Sequence, residues 1–115
     1  MASVFVSHAS RDGVRVADTL SLLRGRGLVN GTEIVTDQGL EPGLSIRDSV
    51  RKAIQDAASI VVLWSDAAAQ SANVNYEIGM ADALEKPILI VNLDGLHSIP
   101  PGLANAQVVD LHPAT

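Results

Sequence analysis

The sequence predicts an α/β protein with a flavodoxin-like, five-stranded parallel sheet in the order 2-1-3-4-5 and helices on both faces. Three observations lead there. Short apolar runs alternate with amphipathic stretches along the chain, which is the pattern of βαβ units. Two runs, 59-SIVVLWS-65 and 87-PILIVNL-93, lack polar alternation and are rich in β-branched residues, as expected of strands buried on both faces. The length of 115 residues suits one domain with one core, and right-handed crossovers in a sheet of that size favour this order. A Rossmann-like half is the alternative, but no G-x-G-x-x-G follows the first strand.

Taken in order, 3-SVFVS-7 is the first strand. A helix over 12–27 follows, with Val16, Leu20 and Leu23 spaced i, i+4, i+7 and Gly25 and Gly27 near its end. The second strand is 33-EIVTD-37. Two Gly and a Pro make 38-QGLEPGL-44 a loop. Ser45 with Asp48 resembles a capping box, and Ile46, Val50, Ala53, Ile54 and Ala57 give the next helix its inner face. After the third strand comes a helix containing 73-NVNYEIGMADAL-84, which ends before Pro87. A loop with Pro100 and Pro101 separates the fourth strand from the last, 107-QVVDL-111. The tail HPAT reads as the start of a linker.

Composition narrows the function. Aromatic residues make up only 3% of the chain, so the core is built from Val, Ile, Leu and Ala. Without cysteine, disulfides, thiolate chemistry and Cys-based zinc sites are excluded. His8, His97 and His112 share no metal-ligand spacing. Net charge is −5 and the eight Lys and Arg are dispersed, which weighs against nucleic acid as a partner. The opening MASVFVSHASRDG lacks the basic and long apolar regions of a signal peptide, and no apolar run approaches the ~20 residues of a membrane span. The expected location is cytoplasmic, with no membrane partner.

One residue resists a purely structural account. Val74, Ile78, Ala81 and Leu84 recur as a buried helical stripe, and at ~100° per residue Glu77 falls inside it. A carboxylate facing a core is costly unless it is paired, neutralised or lining a cavity. Open parallel sheets bind ligands beyond the carboxyl ends of their strands. In a 2-1-3 order the crevice lies between strands one and three, bordered by Ser7–Asp12 and by Ser65–Glu77, with Asp37, Asn92 and Asp94 elsewhere on the rim. Glu77, one or two turns into a helix capped by Ser71 or Asn73, sits near that rim. The structural alternative is an acid that binds backbone groups or a basic residue. His8 is equally open to a plain loop role, and Trp64 to core packing.

Three segments in register resemble bacterial TIR (Toll/interleukin receptor) domains. They are 4-VFVSHASRD-12, 35-VTDQGLEPGLSIRDSVRKAI-54 and 60-IVVLWSDAAAQSANVNYEIGMA-81. Asn73-Val74-Asn75-Tyr76 stands where that family commonly has a Trp shortly before the Glu. This variant, with E-I-G-x-A, is closer to TIR-like proteins of prokaryotic antiviral defence. The resemblance implies cleavage of the nicotinamide–ribose bond of NAD⁺, as substrate and with no cofactor, giving nicotinamide and ADP-ribose or a cyclic ADP-ribose. Glu77 maps to the catalytic glutamate. Phe5, Ser7, His8 and Ser10 match the nucleotide-binding edge, Arg11 approaches phosphate, and Asp37, Leu44, Trp64 and Asn73 complete the substrate-binding set. Asp37 and Leu44 flank a loop that packs against a neighbouring subunit in relatives. The partners implied are NAD⁺, other TIR subunits in a head-to-tail assembly, and a fused or separate sensor domain. Residues 1–115 would then be the N-terminal effector module of a longer protein.

Two other readings stay open. One is a non-catalytic TIR–TIR scaffold. The other is a nucleoside deoxyribosyltransferase-like enzyme, since 77-EIGMADALEKPILIV-91 also resembles that family's E-x-G-x-A helix followed by K-P and an apolar strand. Three smaller expectations remain. Tyr76 should lie at the surface or an interface, Gly39 and Gly43 should serve loop geometry, and Gly79 should face a close-packed neighbour.

Overall fold

A computed structural model describes residues 3–27, 33–35, 46–93 and 105–110, with backbone alone at 33–35, 46 and 47. The fold is α/β, built on a parallel sheet. Strands β1 (Ser3–Ser7), β2 (Glu33–Val35), β3 (Ser59–Trp64), β4 (Ile88–Asn92) and β5 (Ala106–Asp110) lie side by side as β2-β1-β3-β4-β5. β1 pairs with β2 through Phe5↔Val35 and with β3 through Ser7↔Val62, so it is interior to the sheet. β3 and β4 pair from Ile60↔Ile88 to Trp64↔Asn92.

Alternation along each strand sorts side chains to two faces. Phe5, Ile60, Val62, Trp64, Ile88 and Ile90 point to one cluster. Over it lie α2 (Ile46–Asp56), the short α3 (Asp66–Ala69) and α4 (Ala72–Ala83). These helices contribute Val50, Ile54, Ala68, Val74, Ile78 and Ala81, and Ala57 joins them from just beyond α2. The opposite face carries Val4, Val6, Val61, Leu63, Leu89 and Val91 under Leu20 and Leu23 of α1 (Val16–Gly25). Each large aliphatic side chain removed from water in this way contributes about 1.5–3 kcal/mol. With so few aromatics, the core is a mosaic of branched aliphatics.

Several boundaries differ from those read off the sequence. The helix expected over 12–27 is two pieces, a 3-10 helix at Ser10–Arg15 followed by α1. β3 stops at Trp64 because Ser65 turns out to cap α3, accepting a hydrogen bond from the Ala68 N–H at 3.1 Å. Ser71, and not Asn73, caps α4 by accepting from the Val74 N–H at 3.2 Å. Among the described residues, Gly79 has nothing within 4 Å of where a Cβ would stand, so none of them is the expected close neighbour. It floors an open groove of about 490 Å³, shared with Arg51, Tyr76 and Met80. The loop 38–44 with Gly39 and Gly43, the Ser45 cap, Asp94 and the Pro100–Pro101 loop lie outside the described residues.

The far end of α4 is closed by hydrogen bonds from Glu85 N–H to Asp82 C=O and from Lys86 N–H to Ala81 C=O, both 3.0 Å. This is a Schellman ending, with Glu85 in the left-handed region at φ 57° where glycine is usual. Lys86 then donates through Nζ to the carbonyls of Gln55 (2.7 Å) and Ala57 (2.9 Å) at the end of α2. A cation is favourable there, on carbonyls that the helix itself leaves unpaired.

Candidate functional site

The carboxyl ends of β1 and β3 carry most of the buried polar side chains that are described: Ser7, His8, Asp12, Ser65 and Glu77. Their placement follows from local chemistry. β1 ends where its apolar run gives way to Ser7, whose side chain shares the face of Phe5 and therefore lies beneath α4. Ser71 starts α4 by capping it, and Glu77 falls six residues on, turned inward beside Val74, Ile78 and Ala81.

Glu77 is only 3% exposed. Ser7 donates from Oγ to Glu77 Oε1 at 2.6 Å, both groups buried. A hydroxyl-to-carboxylate bond of this length is charge-assisted and about twice as strong as a neutral one. The acid is thus held over the end of an interior strand, where the strand order reverses direction.

A second carboxylate lies alongside. Asp12, 2% exposed, accepts from Ser65 Oγ through Oδ2 and faces Arg15 Nη1 at 3.5 Å through Oδ1. His8, 8% exposed, places Nδ1 2.8 Å from the Ala9 carbonyl. A carbonyl only accepts, so Nδ1 is the donor in this contact. Asn92, 4% exposed, ends β4 opposite Trp64.

The sequence-derived residues divide into four groups. Glu77 and Ser7 are brought into direct contact, and His8 follows Ser7 in sequence. Ser10 and Arg11 are exposed at the start of the 3-10 helix. Asn73 is exposed one turn above Glu77 on a similar bearing of α4. Phe5 has no exposed surface and belongs to the cluster beneath α2–α4, where packing accounts for it. Trp64, 4% exposed, belongs to the same cluster, and packing accounts for it. Asp37 and Leu44 lie outside the described residues. Tyr76 is partly exposed on the outer side of α4, in the groove with Gly79; Glu77 does not line that groove.

Sequence reasoning put Asp12, Ser65 and Asn92 on the rim but gave them no task. Their residue types carried the only available signal, being polar groups at strand ends. Among the described residues, no three His, Cys, Asp or Glu side chains form a metal-binding group. No described helix is long and apolar enough to cross a membrane.

Comparison with solved structures returns the same architecture. The TIR domain of the Toll-related receptor TRR-2 from Hydra magnipapillata superposes with a TM-score of 0.70 at 18% identity, covering 93% of this chain and 82% of that one. The CMP N-glycosidase BcmB of Clostridium botulinum gives 0.60 at 17% identity, covering 95% and 88%. TIR domains of the activated Roq1 resistosome, which directly recognises the pathogen effector XopQ, give 0.59 at 20% identity, covering 82% and 60%. No curated protein sequence matches. At these identities the likenesses speak for the fold. The family model described as "TIR domain" matches residues 4–115, nearly the whole sequence, and the chain therefore belongs to the TIR domain family.

Proposed function

We propose that the protein is an NAD⁺ glycohydrolase in which Glu77 is the catalytic residue. The observation that carries this reading is the Ser7–Glu77 pair, a carboxylate buried at the carboxyl rim of the sheet and oriented by a hydroxyl from an interior strand. Burying a charge costs several kcal/mol unless it is compensated. A chain that only had to fold could place Leu or Met in this stripe.

The chemistry suits a single carboxylate. As the C–N bond breaks, its electron pair goes to the pyridinium nitrogen and nicotinamide leaves neutral, so no general acid is required. The ribose is left with oxocarbenium character, which a fixed anion stabilises. Water then adds to the anomeric carbon and loses a proton, giving ADP-ribose; attack by the adenine of the same molecule gives a cyclic product. Glu77 also has the geometry to hold ribose hydroxyls. Ser10, Arg11 and Asn73, exposed around the same end, supply polar contacts for the rest of the nucleotide, and His8 adds its ring Nε2. Asp37 and Leu44 belong to the proposed contact with a neighbouring TIR subunit. The wider proposal is a cytoplasmic effector module of prokaryotic antiviral defence, N-terminal in a longer protein and switched on by TIR self-association under a fused or separate sensor.

The fold shared with a CMP N-glycosidase favours one further reading, a nucleotide or nucleoside N-glycosyl enzyme of the deoxyribosyltransferase kind. Both readings use the carboxylate on an N-glycosidic bond. The test is incubation at high protein concentration with NAD⁺, with CMP, and with a deoxynucleoside plus free base. The expected result is nicotinamide release that falls by about a hundredfold or more in Glu77→Gln. Product from CMP or from base exchange, with NAD⁺ intact, selects the second reading. No product from any substrate by a self-associated sample selects a TIR–TIR scaffold.

A further inference from the structure

We propose that Asp12 is a positioning residue for Glu77, acting through Ser65 and the α3 turn. The proposal rests on the reading of Glu77 as the catalytic carboxylate. Asp12 and Ser65 are 2% and 1% exposed, and their hydrogen bond joins the segment leaving β1 to the segment leaving β3. Ser65 is also the first residue of the path into α4. Its Oγ caps α3 at Ala68, and its carbonyl accepts from Ala69 N–H at 2.9 Å. Ala68 C=O in turn accepts from Ser71 N–H at 3.0 Å, and Ser71 caps α4. Asn75 secures the same joint by donating from Nδ2 to Ala69 C=O (3.2 Å) and Ser71 C=O (2.8 Å). An unbroken series of hydrogen bonds thus runs from Asp12 to the first turn of the helix that carries Glu77.

Glu77 is therefore gripped at two points from the β1 side: directly by Ser7, and at the root of its helix by Asp12. The two carboxylate–hydroxyl pairs run in opposite senses. In one, β1 supplies the hydroxyl and the far side the acid; in the other, the segment after β1 supplies the acid and the far side the hydroxyl. Each pair crosses between the walls of the crevice, and together they fix its width. Asp12 offers two acceptor oxygens where Asn would offer one, and Ser65 uses only one of them. Arg15, with 41% of its side chain exposed, faces its second oxygen.

The test compares wild type, Asp12→Asn, Ser65→Ala and the double variant, with Leu20→Ala as a destabilised control from the opposite face. The first readout is the ¹³C resonance of the Glu77 side-chain carboxyl, assigned by its loss in Glu77→Gln. It should move in Asp12→Asn and in Ser65→Ala, move no further in the double variant, and stay in place in Leu20→Ala. A Glu77 resonance at its wild-type position in the folded Asp12→Asn and Ser65→Ala proteins overturns the proposal. The second readout is nicotinamide release: kcat should drop about tenfold in both single variants, with KM within about twofold of wild type, as misplacement of a reacting group requires. If the resonance moves while wild type leaves NAD⁺ intact, the positioning role stands and the NAD⁺ reading falls.

Discussion

At the scale of single residues, Glu77 was legible because a helical stripe has a period and an acid inside it breaks the pattern. Its partner was not. Ser7 is 70 positions away, and only the sheet brings the two together. Asp12 and Ser65, 53 apart, were hidden for the same reason. An aromatic in a short strand reads alike whether it faces a ligand or the core, and alternation places Phe5, the middle residue of β1, beneath the helices. The Ser7–Glu77 bond carries a stability prediction. Ser7→Ala removes a donor from a buried carboxylate and should lower stability by about 1–3 kcal/mol. Ser7→Ala/Glu77→Met removes both polar partners and should recover that loss, because an apolar replacement of a whole buried pair is often neutral or stabilising. Urea midpoints of the two proteins decide the matter. A double variant weaker than Ser7→Ala would show that Glu77 is held chiefly for stability.

Secondary-structure elements were legible where they are long and periodic. β1, α1, α4 and β4 follow from apolar spacing. The short helix α3 was missed because four residues are too few to show a period, and Ser65 was read as the end of a strand when it caps the next element. The groove at Gly79 was unexpected, since an interior helical glycine suggests a neighbour pressed close and here the space is open. The end of α4 was hidden too, because Glu is no signal for a left-handed residue. Glu85 at φ 57° stores strain of roughly 1–2 kcal/mol that glycine would not. After allowing for the larger entropy of an unfolded glycine, Glu85→Gly should raise stability by about 0.5–1 kcal/mol, visible as a higher melting temperature. Lys86→Met, which withdraws two hydrogen bonds from the α2 terminus, should lower stability by about 1–2 kcal/mol. No change in melting temperature for either variant would remove these caps from the account of how α2 and α4 are joined.

For the whole molecule, alternation of strand and helix sufficed to anticipate an α/β fold on a parallel sheet, because βαβ handedness leaves few ways to wind it. Assembly was beyond the reach of this logic. A single chain shows which side chains are exposed but not what meets them. Under the proposed activation by self-association, nicotinamide release per mole of protein should rise with protein concentration and fall on dilution. A specific activity that stays constant across a hundredfold range, with a monomer by sedimentation, would argue for a site complete in one chain. The interior position of β1 has a last consequence. Its side chains alternate, so Ser7 meets α4 only because it lies two positions, an even step, beyond Phe5. Substitution at Ser7 can be graded, from Thr to Ala. One residue gained or lost within the strand would turn Ser7 toward α1 and away from Glu77. The site is thus written in the parity of a five-residue strand as firmly as in its letters, and lineages can explore it by exchanging residues far more readily than by changing length.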